Sequence, residues 1–189
     1  MAAHPESRIT EQEYLERERA AEFRSDYYAG HVYAMAGGSW AHGTLIQNVN
    51  RLLDTALRDR NCSVRSTDTR VRVSGNLYTY PDILVVCGEP MFLDKRTDTV
   101  TNPVLIIEVL SPSTEAYDRG AKAAQYRTME SLRELALVTQ TEARVEIYRK
   151  RPGNEWMLAE SVGLESDCRF ESVECELPLA GIYDQVTFT

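Results

Sequence analysis

The stretch NPVLIIEVLSPS at residues 102–113 constrains the fold more than any other part of the chain. Its apolar run from Pro103 to Ile107 predicts a buried strand, and Glu108 stands where that strand emerges. A carboxylate there is costly unless hydrogen bonds, a cation or a metal compensate it. Upstream, YPDILVVCG carries the same theme in reverse order, with Asp82 just before the apolar run Ile83–Val86. Antiparallel pairing lays the start of one run beside the end of the other, so both carboxylates meet at one edge of the sheet. Such a pair suits a hard divalent cation, because Mg²⁺ takes one or two carboxylates together with waters and substrate oxygens. The competing reading is structural: Asp82 caps a turn after Pro81, and Glu108 finds an arginine.

The remaining patterns predict a mixed sheet with helices around it. Thr10 and Glu13 form a capping box that starts a charged helix over 11–22. DYYAGHVYAMAGG alternates around Gly30 as a strand or hairpin ending at Gly37-Gly38. Ser39 caps the strongest helix, whose stripe of Leu45, Ile46, Val49, Leu52, Leu53, Ala56 and Leu57 runs toward Arg60-Asn61. Two short strands are expected over 62–73, then a turn at Ser74-Gly75-Asn76 and a long loop over 88–102. Ser111 to Thr114 caps a helix over 115–130, and RELALVT, ARVEIYRK and EWMLAESV follow as a three-stranded meander. The tail alternates in RFESVECEL and closes with one helical turn in PLAGIYDQV. Helix alternating with strand, then a run of strands, gives an α/β fold.

With 189 residues, the expectation is one domain over 1–189, opened by an N-terminal helical segment at 1–22. No apolar run approaches the roughly 18 residues that span a bilayer, and the N-terminus lacks a signal core, so the expected setting is cytoplasmic and off the membrane. Cys62, Cys87, Cys168 and Cys175 form no CxxC pair or zinc spacing and are expected as reduced thiols. A net charge of -8 argues against a protein that coats nucleic acid through a basic surface. It does not exclude a nuclease, whose empty metal site itself contributes carboxylates.

Four further groups could carry chemistry. Lys122 follows Asp118 and precedes Tyr126 by four residues each, so the three share a helix face. Its ammonium is either an exposed ion pair or a cation reaching the edge where Glu108 emerges, because only a short turn separates strand from helix. His42, one turn before Leu45 and Ile46, points inward, either as a bonded core histidine or toward the same cleft. Asp26 lies just before that helix and is either a surface acid or a cleft residue. Arg70 and Arg72 project from one strand face and, with Arg65 and Arg119, either guide phosphate or form a solvated face.

These residues in this order resemble the PD-(D/E)XK nuclease superfamily, and more closely its bacterial branch of restriction endonuclease-like proteins, the Uma-two (Uma2) family. The resemblance rests on SDYYAGHVYAMAGGSWAH, TDTRVRV, YPDILVVCGEP, NPVLIIEVLSPSTEAYDRGAKAAQYR and AGIYDQV, nearly the whole chain. It implies a restriction-endonuclease-like core, a central mixed β-sheet flanked by helices, and metal-dependent phosphodiester hydrolysis. By position it implies Asp82 and Glu108 as ligands of Mg²⁺ or Mn²⁺ and Lys122 as the motif lysine moved onto the following helix. His42 falls on the branch's helix histidine. Asp26 falls where a glutamate is usual, and His31 where an acid is common. The motif lysine is expected two residues after the acid, and Leu110 stands there.

The leading expectation is therefore an endonuclease acting on DNA, with Asp82, Glu108 and Lys122 catalytic, Asp26 and His42 supporting, and a homodimer suited to cutting two strands. The alternatives are a catalytically silent nucleic-acid- or protein-binding module on the same scaffold, and a hydrolase of smaller phosphodiesters.

Overall fold

The two apolar runs pair antiparallel, with Ile83 opposite Ile107 and Val85 opposite Leu105. The computed structural model describes residues 8–35, 37–73 and 76–188. The first half holds α1 (Glu11–Ala20), β1 (Ser25–Tyr28), β2 (His31–Ala34), α2 (Trp40–Leu57), β3 (Cys62–Ser66), β4 (Arg70–Val73) and β5 (Leu77–Thr79). Then come β6 (Ile83–Cys87), β7 (Thr99–Val100), β8 (Leu105–Val109), α3 (Glu115–Tyr117), a π-helical turn at Asp118–Lys122 and α4 (Ala123–Tyr126). The last part holds β9 (Glu134–Val138), β10 (Arg144–Lys150), β11 (Trp156–Val162), β12 (Asp167–Phe170), β13 (Cys175–Pro178) and α5 (Leu179–Ile182).

The central sheet runs β11-β10-β9-β8-β6-β3 and is mixed, because β8 and β9 are parallel while its other pairs are antiparallel. Parallel neighbours need a crossover. Here α3 and α4 supply it. A second sheet runs β2-β1-β5-β4-β7. Alternation along β8 divides the interior in two. Leu105, Ile107 and Val109 pack with Leu45, Val49, Leu53 and Leu57 of α2 and with Leu179 and Ile182 of α5. Ile106 and Leu110 pack on the other side with Ala123 and Tyr126 of α4 and with Val71, Val73 and Leu77 of the second sheet. Glu108 lies between Ile107 and Val109 and so shares the α4 side.

Local chemistry sets the ends of the elements. The Thr10–Glu13 capping box starts α1, which ends at Ala20 rather than 22. The β1–β2 turn, Ala29-Gly30, has φ of 48° and 94°, the left-handed pair a tight hairpin requires. Ser39 Oγ accepts the His42 N–H at 3.1 Å and starts α2, which ends at Leu57, short of Arg60. The late meander forms as its alternation predicts.

Three expectations are corrected. The helix expected over 115–130 is two short α-helical pieces around a π-helical turn and ends at Tyr126, with Gly120 inside the widened turn. The 88–102 loop contains the strand β7, which pairs in parallel with β4. Cys62 and Cys87 are not free thiols but a disulfide, whereas Cys168 and Cys175 are reduced and buried. The antiparallel register sets Cys62 directly opposite Cys87 across β3 and β6, a juxtaposition that a separation of 25 residues did not signal. Ser74 and Gly75 of the expected turn lie outside the described residues, as does the segment 1–7.

Candidate active site

Continuing the β6–β8 register by one residue puts Asp82 beside Glu108. Asp82 Oδ2 accepts the Val109 N–H at 2.7 Å, which fixes this carboxylate against the end of β8. Glu108 is 4 % exposed. Burial first, and then the Asp82 charge against the pull of Lys122, hold its carboxyl up at about 8.

The cation reaches Glu108 from the crossover. Lys122 Nζ lies 2.8 Å from Glu108 Oε1 and 3.7 Å from Asp118 Oδ1, and all three side chains are buried. Tyr126 Oη donates to the same Glu108 Oε1 at 2.6 Å. Residues 118, 122 and 126 do share a face, as their spacing predicts, although the helix is widened between the first two. Such π-turns commonly mark functional sites. Burial works against the ammonium, but Glu108, Tyr126, Asp26 and Asp118 outweigh it and raise the Lys122 pKa. Lys122 therefore stays charged in the range where Glu108 titrates. Leu110 is packed among apolar side chains on the α4 side of the sheet, so the cation comes from the helix and not from the strand.

His42 approaches from the opposite layer. Its Nε2 lies 3.4 Å from Asp82 Oδ2. Burial lowers its pKa, but the bond and charge of Asp82 and the charge of Glu108 prevail, so the net shift is upward. Gly38 makes room for this ring: a Cβ there would stand 2.6 Å from His42 Nδ1. Gly38→Ala is expected to push the imidazole off Asp82, with its NMR-titrated pKa falling back toward the ordinary value of 6.5. An unchanged titration would contradict this packing.

Asp26 is buried on β1. It faces Thr79, the Tyr80 backbone and the charges of Lys122 and Asp118, and burial raises its pKa. Among the described residues, its Oδ1 and Thr79 Oγ1 each lack a partner within ordinary hydrogen-bond geometry. The two layers and the crossover thus bring Asp26, His42, Asp82, Glu108 and Lys122 into one region.

The expected arginine patch does not assemble as a free surface. Arg70 is buried and bonds Thr99, Tyr80 and Asp98. Arg72 meets Tyr78 and Glu11, and Arg119 is held between Glu115 and Glu146. Each thus has a carboxylate partner within the chain, although Arg72 and Arg119 remain partly exposed. Sequence reasoning put Tyr126 on the right face but gave it no role. It missed Gln140, whose Nε2 donates to the Leu110 carbonyl at 2.7 Å while its Oε1 accepts from Ser39 Oγ at 2.9 Å. This amide ties the end of β8 to the start of α2, and no motif marks it.

The donor set fits a hard cation. Four buried or half-buried carboxylates, Asp26, Asp82, Glu108 and Asp118, stand against the cation Lys122 and His42, and one acid oxygen is orphaned. No three acidic, histidine or cysteine side chains close a cage among the described residues. Asp82 and Glu108 could instead hold a partly hydrated ion, as Mg²⁺ prefers.

Comparison with known proteins agrees with this architecture. Residues 11–180 match the model of the Uma2 family, described as "Putative restriction endonuclease". Uncharacterized protein sll1609 of Synechocystis sp. (strain ATCC 27184 / PCC 6803 / Kazusa) is 37% identical over 163 residues, 86% of this chain and 92% of that protein. Uncharacterized protein slr1290 of the same organism is 34% identical over 84% of this chain and 85% of its own length. The crystal structure of "a putative nuclease belonging to DUF820" from Anabaena variabilis ATCC 29413 superposes with a TM-score of 0.77 at 17% identity, covering 95% of this chain and 99% of that one. The chain belongs to the Uma2 family and carries its restriction-endonuclease-like nuclease fold.

Proposed function

We propose that this protein is an endonuclease that hydrolyses phosphodiester bonds in DNA with Mg²⁺ or Mn²⁺, held by Asp82 and Glu108. The observation that carries this reading is the Lys122 ammonium, 2.8 Å from a buried glutamate that stands beside a second carboxylate. When bound, the ion supplies Lewis-acid stabilisation of the phosphoryl oxygens. Lys122 orients the water nucleophile and offsets negative charge as the phosphorane forms. Its anchoring by Glu108 and Asp118 sets that direction in advance. His42 holds Asp82 in place through Nε2, 3.4 Å from Asp82 Oδ2, a contact that raises the imidazole pKa. Asp26 supports the same pocket through its orphaned oxygen. Arg70, Arg72 and Arg119 are left out of phosphate binding, because each has carboxylate partners.

A homodimer belongs to the proposal. β11 is an edge strand of the central sheet and exposes Met157, Leu158 and Val162, a surface on which a second copy can pair. The test of function is nicking of supercoiled plasmid with Mg²⁺ or Mn²⁺ by wild type, Asp82→Ala and Glu108→Ala. The expected result is cleavage by the wild type alone. Equal cutting by the variants, or none by any form with either ion, overturns it. The net charge of -8 and Leu110, standing where the motif lysine is expected, favour a second reading, a catalytically silent nucleic-acid- or protein-binding scaffold. Calorimetry distinguishes the two, since only the nuclease requires Mn²⁺ binding that both substitutions remove.

A further inference from the structure

Gln140 is half-buried in the turn after β9, 30 residues beyond Leu110 and 101 beyond Ser39, yet its amide bonds to both. Chemistry fixes the direction of these bonds. The Leu110 carbonyl can only accept, so it takes the amide N–H at 2.7 Å and leaves the amide oxygen facing Ser39. The Ser39 hydroxyl must then give its one proton to that oxygen, at 2.9 Å, and its own oxygen accepts the His42 N–H at 3.1 Å. From His42 the path returns to the strand: Nε2 lies 3.4 Å from Asp82 Oδ2, and that same oxygen accepts the Val109 N–H at 2.7 Å. Val109 and Leu110 are neighbours, so the contacts close a circuit through β8, Gln140, the cap of α2, His42 and Asp82.

None of the joined parts needs this amide in order to form. The turn that carries Gln140 is closed by the Thr139 N–H on the Arg144 carbonyl at 3.2 Å and by Thr139 Oγ1 on the Glu142 carbonyl at 2.8 Å. The Leu110 N–H already continues the β8–β9 ladder, donating to the Val138 carbonyl at 2.8 Å. Ser39 caps α2 by accepting, which is all that an N-cap requires. What the amide adds is a link between layers. Apolar contacts hold α2 on the central sheet, but they are non-directional. The two bonds of Gln140 fix the tip of the helix along the sheet, the coordinate that sets how far His42 Nε2 stands from Asp82.

We propose that Gln140 is a positioning residue of the candidate site: by tying the tip of α2 to the end of β8 it keeps His42 on Asp82, and so keeps Asp82 fixed beside Glu108. This rests on the proposed function for the meaning of the site, but its test begins without metal or substrate. The probe is amide hydrogen exchange, read by NMR in EDTA, at the Val109 N–H whose acceptor is Asp82. Gln140→Leu is expected to speed that exchange about three- to tenfold, the factor to which one hydrogen bond corresponds. Ile147, buried in the middle of β10, should be hardly affected. His42→Ala should speed Val109 exchange at least as much, and adding Gln140→Leu to it should change nothing further, because the amide acts through the histidine. Calorimetry then gives the Mn²⁺ affinity, expected to fall about tenfold in Gln140→Leu, the lower end of the cost of losing a group that supports a metal ligand. An unchanged Val109 rate, acceleration of Ile147 by the same factor, or additive effects in the double variant overturns the proposal. So does Mn²⁺ bound equally well by the wild type and Gln140→Leu. Faster Val109 exchange in a protein that binds Mn²⁺ in no form keeps the positioning role and removes the metal reading. Mn²⁺ binding by the wild type, with Val109 exchange unmoved by Gln140→Leu, does the reverse.

Discussion

Lys122→Met is expected to lower the rate of cleavage by about 10²- to 10³-fold, the scale on which a preorganised charge stabiliser acts, and to extend the fall of stability with rising pH beyond the wild-type window, which ends near pH 8. Methionine keeps the apolar stem and removes the ammonium, so Glu108 Oε1 loses its partner at 2.8 Å and retains only the Tyr126 hydroxyl. Removing one member of a buried ion pair typically costs about 3–5 kcal/mol while the remaining charge stays ionised. Glu108 can escape that cost by taking up a proton. Lys122 is the group that pulls its pKa downward, so the value in the variant lies above the present value of about 8. At pH 5 the variant therefore carries a neutral Glu108 and loses little. At pH 9 the unfolded chain ionises this carboxyl freely while the folded one resists, and most of the penalty appears. Urea unfolding at the two pH values reads the difference. Curves shifted equally from wild type at both would show that the ammonium does not compensate Glu108, and near-normal cleavage would remove its catalytic role.

The ease with which this pair was read from the sequence has a physical basis. An apolar run bounded by an acid specifies both burial and direction, so YPDILVV and NPVLIIEV determined their own pairing and the meeting of Asp82 with Glu108. Helical spacing likewise placed Asp118, Lys122 and Tyr126 on one face, although it did not reveal that the backbone widens there, because a π-turn leaves no periodic signature. The N-terminal capping box and the Ser39 cap were legible because they depend on contacts three residues apart. What stayed hidden depends on long-range registry. The Cys62–Cys87 bridge, the parallel pairing of β7 with β4 and the Gln140 link join residues that become neighbours only once the strands are aligned. The arginines mislead for the same reason. Alternation correctly put Arg70 and Arg72 on one strand face, but the burial of Arg70 against Thr99, Tyr80 and Asp98 and the pairing of the half-exposed Arg72 with Tyr78 and Glu11 depend on the second sheet and α1, which local pattern does not describe.

Glu108→Gln is expected to stabilise the metal-free protein at pH 8 and above and to abolish its stabilisation by Mn²⁺. The sign follows from proton linkage. Glu108 titrates near its ordinary value of 4.5 when unfolded and near 8 when folded, so between these values the folded state holds a proton that the unfolded state has lost. Its contribution to stability thus falls as pH rises through that window. Lys122 works in a separate range: its pKa is raised, so its contribution is complete below 10.5 and is lost only as pH passes its higher folded value. Glutamine is isosteric and uncharged and removes the Glu108 penalty, a gain on the order of a few kcal/mol by the usual conversion of pKa shift to free energy, reduced by the loss of the charge that partners the buried Lys122 ammonium. In the wild type, a divalent ion must displace the same proton, so Mn²⁺ affinity should rise about tenfold per pH unit below pH 8 and level off above it. At a hundredfold excess over Kd the ion adds about 2.7 kcal/mol of stability, and EDTA should reverse the gain. Thermal melts of both proteins with and without Mn²⁺ at pH 6, 7 and 8 measure all of this. A Mn²⁺ gain that is flat with pH, or one that persists in Glu108→Gln, would mean that the ion binds elsewhere and that this buried carboxylate serves the fold alone.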